Sequence, residues 1–214
     1  MNNQTNTHKI TPTQKITLTP TLDESILVIK RDILFKDGVF QGLKLTDMDN
    51  YRDLIKTHQE FLPRLLMEVD YAYKQIIPYL VFTHDNRYFL MQRHAKASET
   101  RLQNKFSLGI GGHIYQKDMQ TDDIYAWAKR EFHEEINYSS SFTKIESIGI
   151  LNDDSNDVGR VHVGLILLLH GNSPNISIKS ELASGRLVSL QECETHRPHL
   201  ESWSKIVYDY LLIR

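Results

Sequence analysis

The sequence is short of most features that would settle its class at once. It holds one cysteine, Cys193. An intrachain disulfide is therefore excluded, and the lack of a Cys-x-x-Cys pair excludes a structural zinc site of thiolates. No apolar run reaches the ~18 residues that span a bilayer. The opening MNNQTNTHKI has no apolar stretch of a signal peptide. A soluble chain of a reducing compartment, the cytoplasm, is expected, with no membrane partner. Charge of one sign is not in surplus either: 25 Lys plus Arg face 27 Asp plus Glu, a formal net charge of −2. That balance disfavours bulk nucleic acid as a partner but leaves room for a small anionic ligand. A Walker loop, a Gly-x-Ser-x-Gly elbow and a His-Glu-x-x-His zinc helix are all missing. Residues 1–22 contain no acid, seven Thr and two Pro, a composition that buries little and predicts a flexible arm.

What remains is an ordinary globular composition, 214 residues with 40% apolar side chains, enough for one core. The pattern alternates short strands and helices without a regular βα period, which points to an α+β fold with a mixed sheet. Strands are expected at 25–29, 33–35, 75–83, 87–93, 106–110, 147–151, 161–170 and 182–190. Helices are expected at 47–61, 121–136 and 199–213. His84-Asp85-Asn86 reads as the turn of a hairpin, and Pro78 suggests an edge or a bulge in the strand before it. Residues 23–214 read as one domain: an extension to about 74, a core over about 75–190, and a terminal helix.

The informative stretch is Arg130-Glu131-Phe132-His133-Glu134-Glu135-Ile136-Asn137. At about 100° per residue, Glu131, Glu134 and Glu135 share one arc, while Ala128, Phe132 and Ile136 face a core. Like charges three and four apart repel, and they lie in the last turns, at the negative end of the helix dipole. A solvated acidic face is one reading. A divalent cation among the oxygens is the other, and Mg²⁺ or Mn²⁺ suits such hard donors. Gly111-Gly112 lies upstream, where a backbone can approach a ligand closely. The planar guanidinium of Arg130 can fix a carboxylate in one geometry.

With its Gly-Gly and Arg-Glu-Phe-His-Glu-Glu, the stretch resembles the box of the Nudix (MutT-like) hydrolases, Gly-x5-Glu-x7-Arg-Glu-U-x-Glu-Glu-x-Gly-U, where U is bulky and apolar. Gly112, Arg130, Glu131, Phe132, Glu134 and Glu135 match. The neighbouring Ser107–Ile114 and Asn152-Asp153-Asp154-Ser155 are similar to a subgroup of predicted MutT-like phosphoesterases. Three departures stand out. Gly112 and Arg130 are four residues farther apart than the box has them, an insertion in loop 114–120. The early Glu has two partial matches, Asp118 and Asp122. The final Gly is Asn137, the next-best residue for a left-handed helix end.

The resemblance implies an α/β/α sandwich with a mixed sheet and metal-dependent hydrolysis of a diphosphate-linked small molecule. By it, Glu131, Glu134, Glu135 and Gly112 would hold Mg²⁺ or Mn²⁺, and Arg130 would orient Glu131 by a salt bridge. Glu134, or an acid of loop 152–157, would act as general base. Arg93, Arg101, His113, Asp153, Asp154 and Arg160 are candidate substrate contacts, each equally readable as a solvated loop, a turn or packing. Cys193 has no evident base partner and reads as structural. Competing readings are a Nudix-fold binding module without turnover, an isomerase on the same fold, and a structural domain with an acidic helix. A homodimer is compatible with the N-terminal segment.

Overall fold

The computed structural model describes residues 25–46, 48–93, 105–118, 124–179 and 182–214. The expected arm at 1–22, Arg101 and Asp122 lie outside these residues. The chain begins with strand β1 (Ser25–Lys30), helical turn α1 (Arg31–Leu34), β2 (Gly42–Leu45), α2 (Met48–His58), β3 (Glu60–Pro63) and α3 (Arg64–Met67). It continues through β4 (Tyr73–His84), β5 (Arg87–Arg93), β6 (Phe106–Ser107), β7 (Gly109–Gly111), α4 (Ile124–Glu135) and β8 (Ile136–Asn137). The last elements are β9 (Phe142–Asn152), α5 (Asp157–Val161), β10 (His162–Gly171), β11 (Ser177–Ile178), β12 (Leu182–Val188), α6 (Leu190–Glu194) and α7 (Ser202–Ile213).

The main sheet runs β12-β5-β4-β10-β9-β2. It is mixed: β4 and β10 are parallel, from His162↔Gln75 to His170↔Thr83, and the other pairs are antiparallel. Along its other edge β4 meets β1 at Tyr73–Gln75, β7 at Tyr79–Val81 and β5 at Thr83–His84. The apolar run of β10 fits a strand covered on both faces. On one face Val163, Leu165 and Leu167 join Ile76, Leu80 and Phe82 under Trp127, Ala128 and Phe132 of α4. On the other, Ile166 and Leu168 join Tyr79 and Val81 under Val207 and Leu211 of α7. Two helix layers therefore enclose one sheet, the expected α/β/α arrangement.

Several local expectations are corrected. Residues 33–35 form a helical turn and its exit rather than a strand; the turn buries Leu34 and Phe35. The helix expected over 47–61 stops at His58, and Phe61 belongs to β3, paired with Leu27. The strand expected over 106–110 is broken at Leu108, where the chain changes partner from β5 to β4. Pro78 lies in a central strand, opposite Leu165, at the gap on the other edge between the β1 and β7 pairings. The hairpin turn is as read: Asp85 and Asn86 both have positive φ, 47° and 58°, the pattern of a two-residue turn matched to strand twist.

The N-terminal extension is built into the sheet. β1 adds to the β4 edge and β2 closes the β9 edge, with Gly42 opposite Asn152. No helix among the described residues is long and apolar enough to cross a membrane.

Candidate active site

Helix α4 lays Ile124, Trp127, Ala128 and Phe132 on the core. That fixes its rotation, and Glu131, Glu134 and Glu135 fall on the remaining arc. Glu131 is half-buried, Glu135 partly exposed and Glu134 exposed. The Glu131 carboxylate lies against Gly112, and a Cβ built on Gly112 would overlap its Oε1. Burial, reinforced by the charges of Glu134 and Glu135, pushes the Glu131 carboxyl up from 4.5 to about 7.

Arg130 does not take the partner expected of it. Its Nη1 donates to Glu134 Oε1 at 3.0 Å and its Nη2 forms an ion pair with Asp118 Oδ2 at 3.1 Å. The second contact is close in distance but not aligned as a hydrogen bond, so Nη2 has no hydrogen-bond acceptor among the described residues. Both partners flank Arg130: Glu134 is one turn on, and Asp118 lies in the short 3₁₀ turn Gln116–Asp118. Asp118, one of the two acids that partly match the early Glu, thus lies beside Arg130.

The helix does not end in a left-handed Asn137. That residue pairs with Ser177 as part of β8, and its Nδ2 donates to Ile178 O at 3.2 Å. The last carbonyls of α4 are met from β11 instead. Lys179 N donates to Glu135 O at 2.9 Å, and Lys179 Nζ donates to His133 O. A cation at a helix C-terminus is favourable in its own right.

The other sequence candidates part ways. Asp153 and Asp154 are turned to protein partners. Asp153 accepts from Gln41 Nε2 at 2.7 Å and Ser155 Oγ at 2.6 Å. Asp154 accepts from Lys74 Nζ at 2.8 Å and is gripped by both Arg31 nitrogens. Burial raises its carboxyl, but the Arg31 and Lys74 hydrogen bonds outweigh this and hold it well below the usual range. Arg160 is at the surface, 3.5 Å from Asp157 and over the Tyr71 ring. Arg93 ends β5, opposite Leu182. His113 turns to Gln75 Oε1 at 2.7 Å and His162 Nε2 at 3.3 Å. Burial, with Arg64 and His162 nearby, takes its imidazole down to about 3. Cys193 is fully buried in an apolar cluster with Leu90, Leu108 and Val188, and burial pushes its thiol up to about 11.

The sequence reading missed Lys74, which is fully buried and also donates to Gly159 O and His162 O. A lysine at the head of an apolar strand was its only signal. It also missed how the extension walls the helix. A cleft of about 350 Å³ opens beside Ile124, lined by Leu27, Asp49, Arg52 and Lys56.

Comparison with known proteins agrees with this fold. No family model matches the chain. YmaB of Bacillus subtilis (strain 168) is 32% identical over 203 residues, covering 89% of this chain and 98% of that protein. The crystal structure of Tm1382, assigned to the Nudix hydrolases, superposes with a TM-score of 0.77 at 31% identity. The match covers 89% of this chain and 99% of that one. The chain belongs to the Nudix family. At the level of fold alone, this Nudix protein also resembles a bifunctional NMN adenylyltransferase/ADP ribose pyrophosphatase from Francisella tularensis. There the TM-score is 0.51 at 16% identity, over 77% of this chain and 46% of that one.

The residues present fit the divalent cation that the Nudix family implies. Three carboxylates of hard oxygen donors lie on one arc, and one rests against the Gly112 backbone, where a Cβ would displace it. The like-charge stress on Glu131 is what a cation would relieve. The three glutamates do not gather as tightly as a closed protein cage, for they are absent from the one such group among the described residues. This suits an ion that keeps waters and takes oxygens from its substrate.

Proposed function

We propose that the chain is a metal-dependent hydrolase of organic diphosphates, cleaving the phosphoanhydride of a nucleoside diphosphate joined to a second group. The observation that carries this reading is the Glu131 carboxylate, wedged against Gly112 beside Glu134 and Glu135 and raised to about 7. Glu131, Glu134, Glu135 and the Gly112 backbone would hold Mg²⁺ or Mn²⁺. Such an ion, when bound, neutralises phosphate oxygens and lowers the pKa of a water.

The chain's own residues divide the remaining work. Arg130 spans Glu134 and Asp118, fixing the exposed carboxylate and bracing the inserted loop against the helix. Glu134 is the general base of this reading, taking the proton of the attacking water. Asp154 is a poor rival because Arg31 and Lys74 hold it ionised and occupied. Arg93 and Arg101 are the proposed phosphate-binding cations. A nucleotide on the substrate side is supported by the Francisella tularensis fold neighbour, which was crystallised with AMP and a manganese ion.

The test uses the full chain with Mg²⁺ or Mn²⁺ and a panel of nucleotide sugars, dinucleotides, nucleoside triphosphates and prenyl diphosphates. Phosphate and monophosphate release are measured. Turnover is expected for a nucleoside-diphosphate-linked compound, falling by about 100-fold or more in Glu134→Gln. Activity that survives both Glu134→Gln and Glu135→Gln would overturn the site. Tight binding without turnover of any compound would make the chain a binding module.

A further inference from the structure

Away from the glutamates, three side chains from distant parts of the chain converge. Glu68 follows α3, His113 follows the Gly111-Gly112 pair, and His162 opens β10. Their ligating atoms all lie within 4.8 Å of one another. We propose that Glu68, His113 and His162 bind a divalent transition-metal ion, zinc above all, at a second site distinct from the α4 glutamates. This inference stands apart from the diphosphatase reading.

The imidazole geometry is the first argument. The two Nε2 atoms are 3.3 Å apart. Two nitrogens at about 2.0–2.1 Å from one tetrahedral zinc stand roughly 3.3–3.4 Å from each other. The second argument is what holds each ligand. His162 Nδ1 lies 2.7 Å from Val158 O. A carbonyl only accepts, so the proton is on Nδ1 and the Nε2 lone pair faces His113. Glu68 Oε1 accepts from Arg64 Nε at 3.1 Å, which orients the carboxylate. Outer partners of this kind are what metal-binding imidazoles and carboxylates use.

His113 is the ring that must rearrange. Gln75 Nε2 donates to Met67 O at 3.1 Å, so Gln75 turns its oxygen to His113 and accepts from Nε2–H at 2.7 Å. Binding moves that proton to Nδ1, a change of tautomer with no net loss of a proton. Gln75 Oε1 is then free to act as a fourth donor. Two imidazoles and one carboxylate suit a borderline ion such as Zn²⁺, and Mg²⁺, which prefers oxygen throughout, is excluded by preference. The Arg64 guanidinium, shared between Glu68 and the Tyr115 hydroxyl, opposes the ion by charge and limits its affinity. The ion would pin together the chain after α3, the Gly111-Gly112 loop and the start of β10. His113 directly follows Gly112, so the pin steadies the backbone on which Glu131 rests.

The experiment titrates metal-free full-length protein with Co²⁺, whose visible d–d bands report tetrahedral nitrogen and oxygen donors. One equivalent should develop the bands, Zn²⁺ should abolish them, and excess Mg²⁺ should not. His113→Asn and His162→Gln should each weaken Co²⁺ binding by about tenfold or more. The double variant Glu134→Gln/Glu135→Gln should keep the bands. Wild-type protein without bands would overturn the proposal, and this reading does not depend on any variant folding. So would bands displaced by Mg²⁺, bands kept in His162→Gln, or bands lost in the double glutamate variant.

Discussion

Gly112 and Glu131 contend for one volume: the carboxylate of Glu131 occupies the place where a side chain on Gly112 would begin. A methyl group there would turn the flexible end of Glu131 out of the site. Because that end of Glu131 can swing aside, Gly112→Ala is expected to cost only about 1 kcal/mol, the low end of overpacking. Mg²⁺ is expected to stabilise the wild type, and Gly112→Ala should abolish that gain. Denaturant unfolding with and without Mg²⁺ checks both.

The raised Glu131 carboxyl links stability to pH. Its folded value is about 7 against an ordinary 4.5. Between these values the folded protein holds a proton that the unfolded chain has released. Stability without metal should thus fall as pH climbs from 4.5 to about 7, by at most about 3 kcal/mol. Glu131→Gln mimics the neutral acid and should flatten that fall. Melting curves across this range in chelator would show it; an unchanged slope in Glu131→Gln would assign the effect elsewhere.

Arg130 touches two acids but is itself partly exposed, with 39% of its side chain accessible. Exposed pairs of this sort add little to stability, about 0–1 kcal/mol. Arg130→Lys should leave unfolding nearly unchanged. It should lower turnover by about tenfold, because one ammonium cannot hydrogen-bond Glu134 and keep a second charged nitrogen beside Asp118 at once. Comparing kcat with the unfolding midpoint separates these effects.

Lys74 and Asp154 form a pair that stability does depend on. Lys74 is fully buried, burial takes its ammonium down to about 8, and Asp154 answers it at 2.8 Å. Lys74→Met leaves the carboxylate in place with Arg31 alone, at an expected cost of about 3 kcal/mol. Asp154 has a depressed folded pKa, so its contribution is present above 3.8 and lost as pH falls below it. Asp154→Asn should lower stability at neutral pH and remove that part of the acid transition. Unfolding at several pH values reads both.

The layers of the fold and the carboxylate arc were legible because each rests on a local period. Phe132 and Ala128 mark the core side of α4, and the alternating faces of β10 follow from burial on both sides. The failures share another cause. Pro78, Leu108 and Phe61 sit where a strand changes partner or begins a new pairing, and pairing is not encoded in one segment. Asn137 was read as a cap from its type alone, whereas Lys179, forty-two positions later, closes the helix. Arg130 was matched to the wrong acid for a related reason: Asp118 comes to it across the inserted loop. The convergence of Glu68 with His113 and His162 leaves no trace in spacing at all.

One feature of the sheet also orders events in time. β4 and β10 lie side by side, yet β4 ends at His84 and β10 starts at His162. Gly112, Glu131, Glu134 and Glu135 all fall inside the stretch that this parallel pairing closes. Such a closure carries a large entropic cost before its contacts form, so it belongs to the slow part of folding. Until the ring is shut, α4 has the β4 side of its floor but lacks Val163, Leu165 and Leu167 of β10. The core under the candidate site is thus completed only by residues made after it, so a nascent chain that stops short of β10 carries the glutamates on an unfinished core.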